Sequence, residues 1–140
     1  GLNYYFDDRF GVNGNYSWNQ LVSDLDDPII PAFNTPEHKF NLGVSGRDLA
    51  LGSGANTWGF GVNYRWVEGF LFEGSPQFTG FVPTYDLLDA QINCRIDAFN
   101  TTFKVGGSNL LQNLHIETYG GPFVGRMAYI SALFEFNHKD

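Results

Sequence analysis

From Leu88 to Asp97 the chain alternates without a break. Leu88, Ala90, Ile92, Cys94 and Ile96 are apolar; Asp89, Gln91, Asn93, Arg95 and Asp97 are polar or charged. A period of two belongs to a strand with one greasy and one wet face. The pattern recurs and predicts about seven strands: Gly1–Phe6, Phe10–Asn19, Lys39–Arg47, Thr57–Trp66, Thr84–Asp97, Thr101–Asn109 and Gly125–Phe136. In the second, Phe10, Val12, Gly14, Tyr16 and Trp18 oppose Gly11, Asn13, Asn15, Ser17 and Asn19. In the third, Phe40, Leu42 and Val44 oppose Lys39, Asn41, Ser45 and Arg47. In the fourth, Trp58, Phe60, Val62, Tyr64 and Trp66 oppose Thr57, Asn63 and Arg65. In the last, Ala128, Ile130, Ala132, Phe134 and Phe136 oppose Tyr129, Ser131, Leu133 and Glu135. No amphipathic helix and no linker is visible, so residues 1–140 read as one all-β domain.

The connections differ in length. Asp7-Asp8-Arg9 and Phe99-Asn100 are tight, and Asp48–Asn56 is moderate, with Gly52-Ser53-Gly54 as a turn. Val22–His38, Val67–Pro83 and Leu110–Val124 are long and fall on one side. Outer-membrane barrels show this asymmetry, with short periplasmic turns and long outer loops. Aromatics follow it: Tyr16, Trp18, Tyr64 and Trp66 fall at the loop ends of strands, and Phe6, Phe10, Trp58, Phe134 and Phe136 at the turn ends. Two such girdles, together with Arg47, Arg65, Asp89, Arg95 and Asp97 on the opposite face, predict an antiparallel transmembrane β-barrel wall with a polar lumen. A soluble β-barrel or sandwich also alternates, so period alone does not separate the two.

Composition adjusts this picture in three places. Charged residues are only 16% of the chain while aromatics are 17%, and there are 17 glycines, a balance suited to β structure with tight turns. The formal net charge of -7 argues against nucleic acid as a partner. The single cysteine, Cys94, excludes an internal disulfide. No apolar run approaches the roughly 20 residues of a membrane helix, a test to which barrel strands of about 9–11 residues are invisible. No signal peptide opens the chain. An odd strand number and the abrupt start at Gly1 lead us to expect part of a larger barrel, since bacterial single-chain barrels have even numbers.

Three segments carry a family likeness. Val82-Pro83-Thr84-Tyr85-Asp86-Leu87-Leu88-Asp89-Ala90-Gln91-Ile92 resembles the third-from-last strand of TonB-dependent outer-membrane receptors. Thr102-Phe103-Lys104-Val105-Gly106-Gly107-Ser108-Asn109-Leu110-Leu111 resembles their penultimate strand. Tyr119-Gly120-Gly121-Pro122-Phe123-Val124-Gly125-Arg126 and Ala128–Phe136 resemble their last loop and closing strand. The likeness covers about Val82–Phe136; Gly1–Phe72 fits only in general pattern. It implies the C-terminal portion of a barrel of about 22 strands, a plug domain not contained in this chain, and energised import of a nutrient across the bacterial outer membrane. Implied partners are outer-membrane lipid, the remaining barrel and plug, TonB and a surface lipoprotein. Two positions depart from the family pattern: Cys94 is on the lipid-facing side, and Asn137-His138-Lys139-Asp140 follow the terminal aromatic.

Chemistry-bearing residues are sparse. His38, His115 and His138 are scattered and read as surface histidines, and no zinc-ligand spacing occurs. His115-Ile116-Glu117 begins a deaminase-like signature that no Pro-Cys-x-x-Cys completes. Asp24, Asp26 and Asp27 lack the rest of a calcium loop and read as solvated. Asn15-Tyr16-Ser17 and Asn100-Thr101-Thr102 match a glycosylation pattern but fall in a strand and a tight turn. No catalytic constellation, metal site or cofactor is implied. The candidates for function are therefore the lumen charges Arg47, Arg65, Asp89, Arg95 and Asp97, and the loop aromatics Phe33, Phe78, Phe81, Tyr119 and Phe123. Two rival readings stay open: a complete small outer-membrane barrel of about eight strands acting as anchor or adhesin, and a soluble, lipocalin-like ligand-binding barrel.

Overall fold

The computed structural model describes residues 1–22, 33–52, 54–74 and 76–136. Its strands are β1 (Leu2–Tyr5), β2 (Phe10–Trp18), β3 (His38–Ala50), β4 (Thr57–Val67), β5 (Phe70–Glu73), β6 (Thr79–Val82), β7 (Tyr85–Ile96), β8 (Thr101–Ser108) and β9 (Met127–Phe134). Short 3-10 turns occupy Pro76–Phe78 and Asp97–Phe99. Seven strands form one antiparallel sheet in the order β1-β2-β3-β4-β7-β8-β9, and β5 and β6 form a separate hairpin. The fold is all-β, and the sheet is open: among the described residues β1 and β9 are each paired on one side only.

Register fixes the two faces, because directly opposed residues point the same way. One row runs Tyr4, Val12, Val44, Val62, Ala90, Gly107, Ala128 across all seven strands. The next runs Tyr5, Gly11, Ser45, Gly61, Gln91, Gly106, Tyr129. The alternation read from sequence is thus preserved across the sheet, with the apolar rows on one face and the amides and charges on the other. The last strand, whose inner face is least polar, obeys it too: Tyr129 donates its hydroxyl to Gln91 at 3.0 Å and Glu135 pairs with Arg95 at 2.8 Å. Gly106 makes room for Tyr129, whose ring tip lies where a Cβ would stand.

The polar face is concave. A depression of about 410 Å³ is lined by residues from six strands, among them Asn13, Gly43, Gly61, Gln91, Ser108 and Tyr129. The compact core also lies on this side, at the loop end. Val67, Tyr85 and Leu87 project from polar-face positions of β4 and β7 and are buried against Val82 of the hairpin, with Phe70, Phe72 and Ile116 around them. Within one strand the contrast is sharp: Val67 is 6% exposed and Val62, on the opposite face, 39%. Ile92 at 50% and Ile130 at 78% show that no described element covers the apolar face.

The boundaries differ from expectation at informative places. The segment Val67–Pro83, expected as a loop, contains the β5–β6 hairpin, paired Phe70↔Val82 through Glu73↔Thr79. Its strands have only four residues each, too few to show a period. β3 runs on to Ala50 through a register shift between Gly46 and Leu49; a bulge of this kind absorbs Arg47 and Asp48 (φ 52°) without losing pairing. Asp97 leaves β7 to start a 3-10 turn, and Asn109 leaves β8 in a left-handed conformation, φ 52°. Asp24, Asp26, Asp27, Ser53 and residues 137–140, with His138 among them, lie outside the described residues.

Candidate functional site

The apolar face ends in ordered rings. At the loop end Phe40 stacks on Trp66 (centroids 5.6 Å apart) and packs against Tyr64 at 6.0 Å. Their neighbours aim polar tips at polar partners. The Tyr16 hydroxyl meets His38 Nδ1 at 2.6 Å, Trp18 Nε1–H donates to Glu37 at 3.2 Å, and the Tyr64 hydroxyl donates to Asp86 at 3.4 Å. At the turn end Phe60 packs between Trp58 (5.9 Å) and Phe10 (6.5 Å), and Tyr4 meets Phe6 edge-on at 5.0 Å. Valines, leucines and alanines fill the band between.

On the polar face the five charges expected to act do not form one cluster. Arg95 and Asp97 come together at the turn end, joined at 3.1 Å, and Arg95 also pairs with Glu135. Asp97 is held further by its own N–H donating to Asn56. Arg47 is nearby only in the sense of height: its Nε–H donates to the Asp8 carbonyl at 2.8 Å, fastening the β1–β2 turn. Asp89 accepts the Asn109 N–H at 2.9 Å, so it anchors a loop. Arg65 is exposed at the loop end. Its Nε–H donates to Asn41 Oδ1 at 3.2 Å, and Asn41 Nδ2 donates to Asn15 Oδ1 at 2.9 Å, a relay across three strands.

The loop aromatics converge in part. The Tyr119 ring lies on Gly80 and the Phe78 ring on Gly120, where any side chain would overlap them; Gly120 also needs its φ of 77°. These two contacts lock the hairpin to the 109–126 connection. Phe81 instead covers Gly69. Phe33 lines a different cavity of about 410 Å³, with Glu37, Glu68 and Phe70. Phe123 is exposed.

Several residues that matter here were not legible as candidates. His115, expected at the surface, is buried at 6% exposure. Its ring stacks on Tyr85 with centroids 4.3 Å apart, and its Nδ1 lies 2.9 Å from the Asn113 carbonyl, which can only accept, so Nδ1 carries the hydrogen. An isolated bridge between His115 and Val124 closes the loop over it. Asn109 and Asn113 clasp each other at 2.8 and 2.9 Å, and Asn113 donates to Asp86 at 2.9 Å. Two asparagines four apart after a strand end are a turn signal, and Asn tolerates the left-handed backbone found at Asn109. No signal short of the fold itself joins them to Asp86.

Together the elements enclose a cavity of about 520 Å³ at the loop end of the polar face. Its floor is Asn15, Lys39, Asn41 and Arg65 from β2, β3 and β4; Phe70, Tyr85 and Glu117 form walls. Among the described residues no three His, Cys, Asp or Glu side chains gather to hold a metal ion. No family model, curated protein or solved structure matches the chain.

Proposed function

We propose that this sheet is a stretch of the wall of a transmembrane β-barrel in the bacterial outer membrane, and that the protein is a TonB-dependent receptor that imports a nutrient and catalyses no reaction. One observation carries the membrane part: an apolar face seven strands wide, uncovered by any described element and bounded at both ends by aromatic rings. In water such a face would be a large association liability; against acyl chains it is the ground state. From Trp58 to Trp66 β4 rises by about 27 Å at about 3.4 Å per residue. At a tilt of about 40° this is about 21 Å of height, close to the roughly 25 Å apolar band of such barrels.

Two features favour this over the rivals. A soluble ligand-binding barrel encloses its apolar side, whereas here the face with the depression carries the amides and charges. A small barrel made of these strands alone meets a problem of direction. With seven alternating strands, β1 and β9 run the same way, so joining them would make a parallel pair. Antiparallel closure needs an odd number of further strands, which the remaining barrel of a receptor would supply. The transport part of the reading rests on the likeness of Val82–Phe136 to the closing strands of TonB-dependent receptors. A plug in the lumen, TonB and a surface lipoprotein are the partners that go with it.

All three tryptophans, Trp18, Trp58 and Trp66, project from apolar-face positions. Brominated lipids therefore test the reading directly. Quenching by bromines near the headgroups at both rims, and protection from aqueous iodide, is the expected result; iodide quenching of all three would defeat it. The intact mass of the natural polypeptide extracted from outer membranes tests the receptor part. A mass several times that of these 140 residues is expected, and one equal to it would return the small barrel.

A further inference from the structure

The loop-end cavity holds two cations, Lys39 and Arg65, that form no ion pair among the described residues. Lys39 and Arg65 lie on adjacent strands and the same face, offset diagonally: Lys39 is paired with Val67 and Arg65 with Asn41. Diagonal neighbours of this kind stand about 7–8 Å apart at their Cα atoms, within reach of two long side chains converging on one group. Neither forms an ion pair among the described residues, although the chain has almost twice as many acids as bases (15 against 8). Arg95, by contrast, is answered by two carboxylates. The Asn15–Asn41–Arg65 relay fixes the Arg65 guanidinium through Nε and leaves both terminal nitrogens without a hydrogen-bond acceptor among the described residues, the fork that takes a planar anion in two parallel bonds. Tyr85 and Phe70 give the cavity an aromatic wall, and Glu117 stands among the walls as a carboxylate that would turn an anionic end toward the cationic floor.

We propose that this cavity binds a ligand bearing a carboxylate or phosphate, held by Arg65 and Lys39, with its uncharged body against Tyr85 and Phe70. The volume of about 520 Å³ suits a small molecule or the end of a longer one. As the site of a transported ligand it rests on the barrel-wall reading; as an anion site it does not.

The test uses the whole chain folded in detergent, titrated calorimetrically at low salt with citrate in one arm and inorganic phosphate in the other, and neutral maltotriose as the uncharged control. Binding of citrate alone identifies a carboxylate ligand and binding of phosphate alone a phosphorylated one; maltotriose does not bind. Arg65→Gln weakens the anion at least about tenfold and Arg65→Lys less, because a point charge replaces a fork. Lys39→Gln weakens it several-fold. Lys104→Gln, on the same face outside the cavity, leaves it unchanged, and circular dichroism checks that each variant folds. The proposal is overturned if neither anion binds, or if Arg65→Gln and Lys39→Gln bind as the parent does. Anion binding without lipid quenching of the tryptophans would sink the barrel reading alone; quenching without anion binding would sink this one alone.

Discussion

The two faces of this sheet invert the arrangement of an ordinary β domain. Side chains on the convex face (Val62, Ile92, Ile130) are apolar and open, while the buried cluster seen among the described residues (Val67, Val82, Tyr85, Leu87) lies on the polar, concave side beneath the loops. A water-soluble protein places its largest apolar surface inside, where burial stabilises by about 25 cal/mol per Å². Here the chain spends its hairpin and its longest ordered connection on covering polar-face residues near the rim. The difference teaches that the described residues leave the large apolar face uncovered, and that the small core has a separate task, shaping the mouth of a cavity.

Substitutions on neighbouring residues break the comparison most strongly. Ile92→Arg, at mid-strand on the apolar face, costs about 2–4 kcal/mol of stability in phospholipid vesicles, measured by urea unfolding. Asn93→Arg, one residue on and on the opposite face, changes it little. Equal effects would mean that the two faces meet the same solvent. Next in size is Asn109→Ala, which loses both side-chain bonds to Asn113 and puts alanine at a left-handed φ. A loss of about 1–3 kcal/mol is expected, together with faster hydrogen exchange over residues 109–116. Unchanged exchange would show that the clasp is not what holds the loop.

A smaller effect sharpens the view of the mouth. Gly80→Val pushes the Tyr119 ring off the hairpin and costs about 1 kcal/mol. Adding Tyr119→Ala recovers most of that cost if the ring is the obstacle, and the double-mutant cycle measures the coupling. Strict additivity would show that the two loops are not locked there. The smallest effect is expected from Glu135→Gln. Its pair with Arg95 is solvent-exposed and Asp97 still answers the guanidinium, so the unfolding midpoint stays where it is. A large drop would make the turn-end ion pairs, rather than the apolar face and the loop core, a main support of the sheet.

Much of the fold was readable because period two is a local property. The longer strands of the main sheet, the faces of Phe10–Trp18 and Thr57–Val67, and the long-loop side all follow from alternation and turn residues. The β5–β6 hairpin was not, since Phe-Leu-Phe-Glu is too short to alternate visibly and its pairing with Thr-Gly-Phe-Val depends on the turn at Pro76–Phe78. The site was legible only as a set of residue types. Arg95 meets Asp97 two residues on although Asp97 has left β7 for the 3-10 turn, a change of backbone that alternation does not signal. That Asp89 would be taken up by Asn109, or that His115 would be buried on Tyr85, depends on where a long connection folds, which no local pattern encodes. Lys39 was readable as a polar-face residue, but its lack of an ion pair among the described residues is a property of the neighbours that the sheet brings alongside.

The most direct test of the central claim uses the only cysteine. Cys94 sits in the apolar row between Trp58 and Phe103. A nitroxide on Cys94, in protein reconstituted into phospholipid vesicles, should be relaxed strongly by oxygen and weakly by an aqueous nickel chelate. The same label at Asn93→Cys in a Cys94→Ser background should show the opposite. That reversal across one peptide bond is what a wall between lipid and lumen predicts. Strong relaxation by the nickel chelate at Cys94 would contradict it.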